Sequence, residues 1–553
     1  MRRLLFVTAA VLAAVFIWLA ATLPPAPARA SGAVEESVTR RTVTGAFHVH
    51  TKRSDGSEDT DEIAADAARA GLQFVVLTDH GDGTRPPDPP TYRDGVLIID
   101  AVEVSTNGGH YVALDMPAAP YPLGGEAAAV VEDVRRLGGF GIVAHPDSAK
   151  PALQWKDWKL DVDGVEWLNL DSEWRDESRA RLTRVAFDYL FRKAPALGAL
   201  LDRPVRTMER WDRLAARSRV VGLAGLDAHG GRLEGAAGVI SFLPSYEASF
   251  RTFSVRALLS EPPSGDAVRD ARLLVGAIRS GRVFSAIDAI AAPAHVDFKL
   301  SRGDRRWEMG ESVDTEGGGT LTVRSTVPEN ARVVLLRDGQ PVAEATGGSL
   351  DAAVQGRGAY RVEVQVGGAP GAPPVPWIVT NPIYVGARAP EAVHTEPNYS
   401  TAAAVTESGG VEKDPRSTAT LTSADGRRIL EYSLAGGERT SQYVALAVST
   451  TIPVTPESRG FDGVSFDGRA SGPMRVSVQL RFASGARWIH SVYLSPDERR
   501  VVVPVDRLLP AEPTAVRPDF RSASSLLFVV DLTNAVPGQS GRFEIANLAL
   551  TSR

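Results

Sequence analysis

The chain has no cysteine among its 553 residues. That excludes disulfides, thiolate metal sites, a cysteine nucleophile and a cysteine-linked lipid anchor. Any metal site must draw on His, Asp and Glu, whose nitrogen and oxygen donors suit zinc, manganese or iron. A strong excess of one charge is also missing. The formal net charge is -6, so the basic face of a nucleic-acid binder is not expected. Histidine is scarce, with nine in all, and unevenly spread. The rest of the composition, 43% hydrophobic and 23% charged, is that of a globular protein long enough for about three domains.

One apolar run of membrane length stands at the start. Arg2 and Arg3 precede it, it extends from Leu4 to Leu23, and Pro24, Pro25 and Pro27 follow. Ala28-Arg29-Ala30 then precedes Ser31, in the pattern of a signal-peptidase site. Residues 1–30 read as a cleaved signal peptide or as a membrane anchor over residues 4–23. Either places the body outside the cytoplasm: periplasmic, extracellular or membrane-anchored.

Residues 32–42 read as a polar tether. From residue 44 to 290, continuous apolar runs alternate with helical patterns. Phe74–Leu77, Val96–Ile99, Tyr111–Leu114, Gly141–Ala144, Gly164–Leu168 and Val220–Ala224 are strand-like. Thr60–Ala70, Glu126–Leu137, Arg179–Phe191 and Arg206–Ser218 are helical. Such alternation predicts an α/β domain with a parallel sheet. Residues 294–386 switch to period two, with Asp338-Gly339 as a turn pair, and predict a small immunoglobulin-like β-sandwich. Residues 387–415 lack periodicity and read as a linker. Residues 416–553 are again all-β and predict a jelly roll.

Six histidines fall between positions 48 and 229: His48, His50, His80, His110, His145 and His229. His48 and His50 lie two apart on a strand, which puts both imidazoles on one face. Asp55 follows in a Ser-Asp-Gly turn. His80 closes the Phe74–Leu77 strand after Asp79. Glu103 follows the next strand, with His110 seven residues later. His145 closes another, before Pro146. Asp227 and His229 repeat the spacing of two. A lone histidine at a strand end is usually structural, and an Asp before Gly is usually a turn residue. Six histidines and three carboxylates at strand ends of one domain point to a metal site. The C-terminal strand edge is also where α/β barrels carry their catalytic residues.

The order H-x-H, S-D-G, T-D-H, a glutamate after a strand, A-H-P and D-x-H resembles the PHP superfamily of polymerase- and histidinol-phosphatase-like metallohydrolases. The resemblance covers residues 44–290. The Gly-His-Tyr-Val-Ala-Leu context is similar to its secreted carbaryl-hydrolase-like branch. It implies a multidomain chain: a distorted (β/α)7 barrel followed by two all-β sandwich domains. It implies two or three divalent ions of zinc, manganese or iron. His48, His50, Glu103 and Asp227 would hold one. Glu103 would bridge to a second on His145 and His110. Asp55, His80 and His229 would hold a third. Asp227, Glu103 and His145 would carry the catalysis.

Closely spaced ions lower the pKa of a shared water and neutralise charge developing on an ester. The expected reaction is hydrolysis of a small phosphate ester by an exported enzyme. A carboxyl ester or carbamate can use the same centre. Lys52, Arg53 and Arg232 flank the motifs as candidate substrate contacts. The segments Gly463–Gly468 and Phe528–Leu532 resemble galactose-binding-like jelly rolls. They imply a carbohydrate or cell-surface ligand, and a third reading in which the barrel is a scaffold for glycan binding. No nucleic-acid partner is expected.

Overall fold

The computed structural model describes residues 2–231, 244–313, 318–386, 399–405, 407–449, 461–512 and 523–552. The chain is multidomain and rich in β-sheet. Its apolar start is a helix, α1 (Arg2–Ala21). Among the described residues, no helix is long and apolar enough to cross a membrane. The stretch read as a cleavage site forms β1 (Ala28–Arg29), paired in parallel with Ala291–Ala292, and Ala30 is buried beside it. The stretch read as a tether holds a short helix, α2 (Glu36–Arg41), which buries Val38.

The α/β unit then runs β2 (Thr42–Val49), α3 (Thr60–Ala70), β3 (Phe74–Leu77), β4 (Thr91–Arg93), β5 (Val96–Asp100), β6 (Val102–Thr106) and β7 (Gly109–Leu114). It continues through α4 (Ala127–Arg136), β8 (Phe140–Val143), β9 (Gly164–Asn169), α5 (Leu170–Arg175), α6 (Arg179–Tyr189), α7 (Lys193–Gly198) and α8 (Val205–Ala215). It ends with β10 (Val221–Gly225), α9 (Tyr246–Phe250), β11 (Ser254–Leu258), α10 (Ala267–Arg279) and β12 (Val283–Ala286). Helix α3 has the expected bounds because its ends are chemically marked. Asp59 and Glu62 form a reciprocal capping box, and Gly71 closes the helix at φ 81°.

Two sheets form, in the orders β10-β9-β8-β7-β6 and β12-β11-β2-β3-β5-β4. They meet on both sides. The N–H groups of Leu226 and Ala228 donate to the carbonyls of Phe47 and His48, and Gly81 N–H donates to the carbonyl of Glu103. Residues from both sheets share one apolar core, including Phe47, Phe74, Val76, Ile99, Val112, Ile142, Leu223 and Val255. Leu274, Ala277 and Ile278 of α10 close it. Alternate residues such as Val75 and Leu77 join a second core with Ile63 and Val134 of the helices. Strands buried on both faces must be apolar throughout, which is why they read as continuous runs.

The expected parallel sheet is found in part: β2-β3-β5 and β8-β9-β10 pair in parallel, and other pairs do not. β6 and β7 are antiparallel, with Ser105 opposite His110, and β11 is antiparallel to both β2 and β12. For the β6–β7 pair the cause lies in Asn107-Gly108, a two-residue hairpin turn too short for a parallel crossover.

The 294–386 stretch shares a sheet with the α/β unit: its strand Ile378–Thr380 pairs antiparallel with β12. Arg361 is buried between Asp212 of α8 and Glu363. Asp338 and Gly339 take φ 50° and 80°, the turn their sequence favours. Within the stretch read as a linker, Ser400–Ala404 and Gly410–Lys413 are strands, and residues 387–398 lie outside the described ones. These strands join two six-stranded sheets that enclose a separate core.

That C-terminal unit docks on α4. Buried Arg475 donates to both carboxylate oxygens of Asp133, at 2.7 and 2.8 Å, and to the carbonyl of Ala129. Ser491 N–H donates to Glu126. The Arg136 guanidinium lies 3.7 Å from the Tyr493 ring centroid. Removing one partner of a buried ion pair strands the other charge, at a cost of about 3–5 kcal/mol. Arg475→Ala is therefore expected to lose about that much stability. Urea denaturation followed by intrinsic fluorescence checks this, and a wild-type midpoint would contradict the docking role.

Candidate metal centre

Three strand ends bring the site together, and each is bent out of regular geometry. His48, His145 and Asp227 take φ of 67°, 29° and 50°. The left-handed region costs a non-glycine residue about 1–3 kcal/mol and persists where the surroundings impose it. His48 lies at a register shift between Phe47 and Val49. The His48 and His50 imidazoles therefore converge through a bulge rather than through the regular pleat expected from their spacing. His110 reaches the site through the β6–β7 hairpin, opposite Ser105.

All nine expected ligands meet. Glu103, with no exposed surface, is the hub. One of its oxygens, Oε2, lies 3.3 Å from His48 Nε2, 3.4 Å from His50 Nε2 and 3.1 Å from His80 Nδ1. The other, Oε1, lies 2.8 Å from both His110 Nδ1 and His145 Nε2. Asp227 Oδ1 is 3.3 Å from His48 Nε2 and 3.1 Å from His50 Nε2. Asp55 Oδ2 is 3.6 Å from His80 Nε2 and 3.3 Å from His229 Nε2. Asp55 Oδ1 is 3.4 Å from His50 Nδ1.

These spacings fit metal ions. Donors about 2.1 Å from one tetrahedral ion stand about 3.4 Å apart. Among the described residues, four groups place donor atoms within 4.8 Å of one another: His48, His50 and Asp227; His48, Glu103 and His145; His80, Glu103 and His110; and His50, Asp55, His80 and His229. His48 Nε2, His80 Nδ1 and Glu103 Oε2 are buried without a hydrogen-bond partner. Buried polar atoms are rarely left so, and a cation would satisfy all three. Side-chain exposure rises from 0% at His48, His50 and Glu103 to 33% at His80 and 53% at Asp55. The centre opens to solvent on the Asp55 side. Beside it, His80 borders a cavity of about 270 Å³ lined also by Arg53, Arg85 and Met116.

The expected substrate cations are placed differently. Lys52 is exposed and paired with Glu62 at 2.7 Å. Arg53 is held by Asp79, Asp88 and Asp100. Both are spent on nearby carboxylates that sequence adjacency did not reveal, and Arg232 lies outside the described residues. Among the described residues, Asp79 makes no hydrogen bond or ion pair with an imidazole. It accepts from Thr51 N–H, Thr51 Oγ1 and Ser54 Oγ, and so fixes the loop between His50 and Asp55. Trp155 and Trp167 are buried in the core. One buried carboxylate escaped the sequence reading. Glu166 accepts from His48 Nδ1 at 2.6 Å, and its signal was a lone charge inside an apolar strand.

No family model matches the chain, and no curated relative matches it. Among solved structures it is similar to a two-domain protein of Bacteroides vulgatus containing a predicted PHP-like metal-dependent phosphoesterase. That match has 14% identity, 65% of this chain, 99% of that chain and a TM-score of 0.30. It is also similar to a family 11 carbohydrate-binding module of a Clostridium thermocellum cellulosomal cellulase, at 14% identity over 28% and 95% of the two chains, TM-score 0.22. A family 29 carbohydrate-binding module matches at 18% identity over 28% and 91%, TM-score 0.17. None of these similarities is close enough to assign a function.

Without metal, the carboxylates act on the imidazole protons. Burial pulls the His145 and His229 pKa values down, but hydrogen bonds to Glu103 and Asp55 raise both to about 9. Burial would raise Asp227, yet the neighbouring imidazoles hold it well below the usual carboxylate range. A raised imidazole pKa gives stability that is full below the unfolded value of about 6.5 and is lost as pH rises through about 9. Chelator-treated protein is thus expected to melt at lower temperature as pH climbs from 6.5 to 9. Ions bind neutral imidazoles, so the stabilisation from added zinc should grow over the same range. Scanning fluorimetry across pH, with and without zinc, checks both; a chelated melting temperature that rises with pH would contradict the assignment.

Proposed function

We propose that the chain is an exported metal-dependent hydrolase that acts on a small phosphate ester. The observation that carries the reading is the buried Glu103 carboxylate. It shares its two oxygens among His48, His50, His80, His110 and His145, as a ligand bridging neighbouring ions does. The sheets' common interior supports reading residues 44–290 as a distorted barrel, with all-β units over 294–386 and 416–553. The Arg2-Arg3 start and the apolar run after it support export.

Divalent ions in this centre supply a water acidified for attack and a positive field for the ester oxygens. The chain's own residues do the rest. His48, His50 and Asp227 would hold one ion; Glu103, His110 and His145 a second; Asp55, His80 and His229 a third. Asp79 positions Asp55 by fixing its loop through Thr51 and Ser54. The half-open Asp55 side admits substrate, and the cavity beside His80 accommodates a leaving group of modest size. Glu103 and His145 lie deep enough to exclude bulk water from the reacting face.

A second reading has its own support. Lys52 and Arg53, the described cations flanking the motifs, are both neutralised by carboxylates. A centre whose flanking cations are neutralised suits an uncharged carboxyl ester or carbamate as well as a phosphate.

Purified protein loaded with manganese or zinc is expected to turn over a chromogenic phosphoester. Activity should disappear with chelator and fall at least about 100-fold in His145→Ala, which loses a ligand. Phosphomonoester, phosphodiester and carboxyl-ester probes separate the two readings. Carboxyl-ester turnover alone would select the second, and turnover indifferent to chelator would remove both.

A further inference from the structure

Glu166 is fully buried in the middle of β9, between Val165 and Trp167, which are buried as well. A carboxylate in such a place needs partners for both oxygens. Oε1 accepts from His48 Nδ1 at 2.6 Å. Oε2 accepts from the backbone N–H of His145 at 2.7 Å and from Asn169 Nδ2 at 2.9 Å. One side chain thus grips two expected ligands, and both have left-handed backbones. A third strand end is shaped around it. A Cβ on Gly225 would stand 1.9 Å from Glu166 Oε1, so the chain has glycine just before Leu226-Asp227.

We propose that Glu166 is a positioning residue of the metal centre, acting on His48 and His145. By accepting the hydrogen bond of His48 Nδ1–H it keeps the proton on that nitrogen and leaves Nε2 free as a donor atom for a metal, directed at Glu103 and Asp227. Its bond to the His145 backbone holds that ligand at a fixed spacing from His48. It touches no substrate and acts only through His48, His145 and the space at Gly225. Outer-shell carboxylates that orient a ligating imidazole typically change metal affinity by about 10–100-fold.

This inference rests on the metal-centre reading, and its test separates the two. Zinc affinity and stoichiometry are measured on the full-length protein by competition with a chromophoric chelator, alongside melting temperatures of the metal-free forms. Wild type is expected to bind at least two equivalents; if it binds none, the centre itself is wrong. Glu166→Gln keeps the shape but turns an N–H₂ toward one of the two donors. It is expected to fold, to melt near wild type without metal, and to bind zinc about 10–100-fold more weakly. Gly225→Ala displaces Glu166 from the opposite side and should show the same loss. Wild-type zinc affinity in either folded variant overturns the proposal. So does failure of both variants to fold without metal, which would make Glu166 a residue of the fold alone.

Discussion

A carboxylate with no exposed surface, surrounded by five imidazoles, is the constraint around which the α/β unit is arranged. A buried Glu103 without compensating charge would be expelled or neutralised, because a dry interior does not tolerate a lone ion. Here each oxygen has its own set of nitrogens, and Asp227 and Asp55 complete the circle on two sides. The circle closes only if strand ends from different parts of the chain arrive at fixed heights. The left-handed turns at His48, His145 and Asp227 bring them there, and the apolar core beneath, plugged by α10, keeps them there. Local strain and dense packing are two sides of one arrangement.

Much of this was legible in the residues. The bounds of α3 could be read because a capping box and a left-handed glycine mark them chemically. The strands could be read because burial on both faces forces unbroken apolar runs. The gathering of these side chains could be anticipated because histidine is rare elsewhere in the chain, and most of the six fall at or near strand ends. What stayed hidden depends on space rather than on type. The short helix α2 has too few residues for a periodic signal and is held by one buried valine. Lys52 and Arg53 looked free because their partners lie in other elements: Glu62 in α3, Asp88 in the loop before β4 and Asp100 at the end of β5.

The hidden parts share a cause. Glu166 sits in a strand whose pattern says only that it is buried, and nothing local says which neighbour a buried carboxylate will meet. The pairing of His48 with His50 was anticipated from the pleat, but a bulge produces it. Asn107-Gly108 carried a hairpin signal that the alternation of strands and helices masked. Motifs name the participants in such a centre; their supporting partners emerge only once the chain is folded.

The antiparallel pairing of Ile378–Thr380 with β12 has a consequence for how the chain can be divided. β12 is the last strand of the α/β unit, and without its neighbour it would be a raw sheet edge, with N–H and C=O groups open to any passing strand. The middle unit acts as the cover of that edge, and Trp377 secures it through a hydrogen bond to Ala291. A chain ending near residue 290 would keep every candidate ligand and still be prone to self-association. The smallest piece that keeps this edge covered is thus set by the neighbour of its last strand, and it extends well past the site itself.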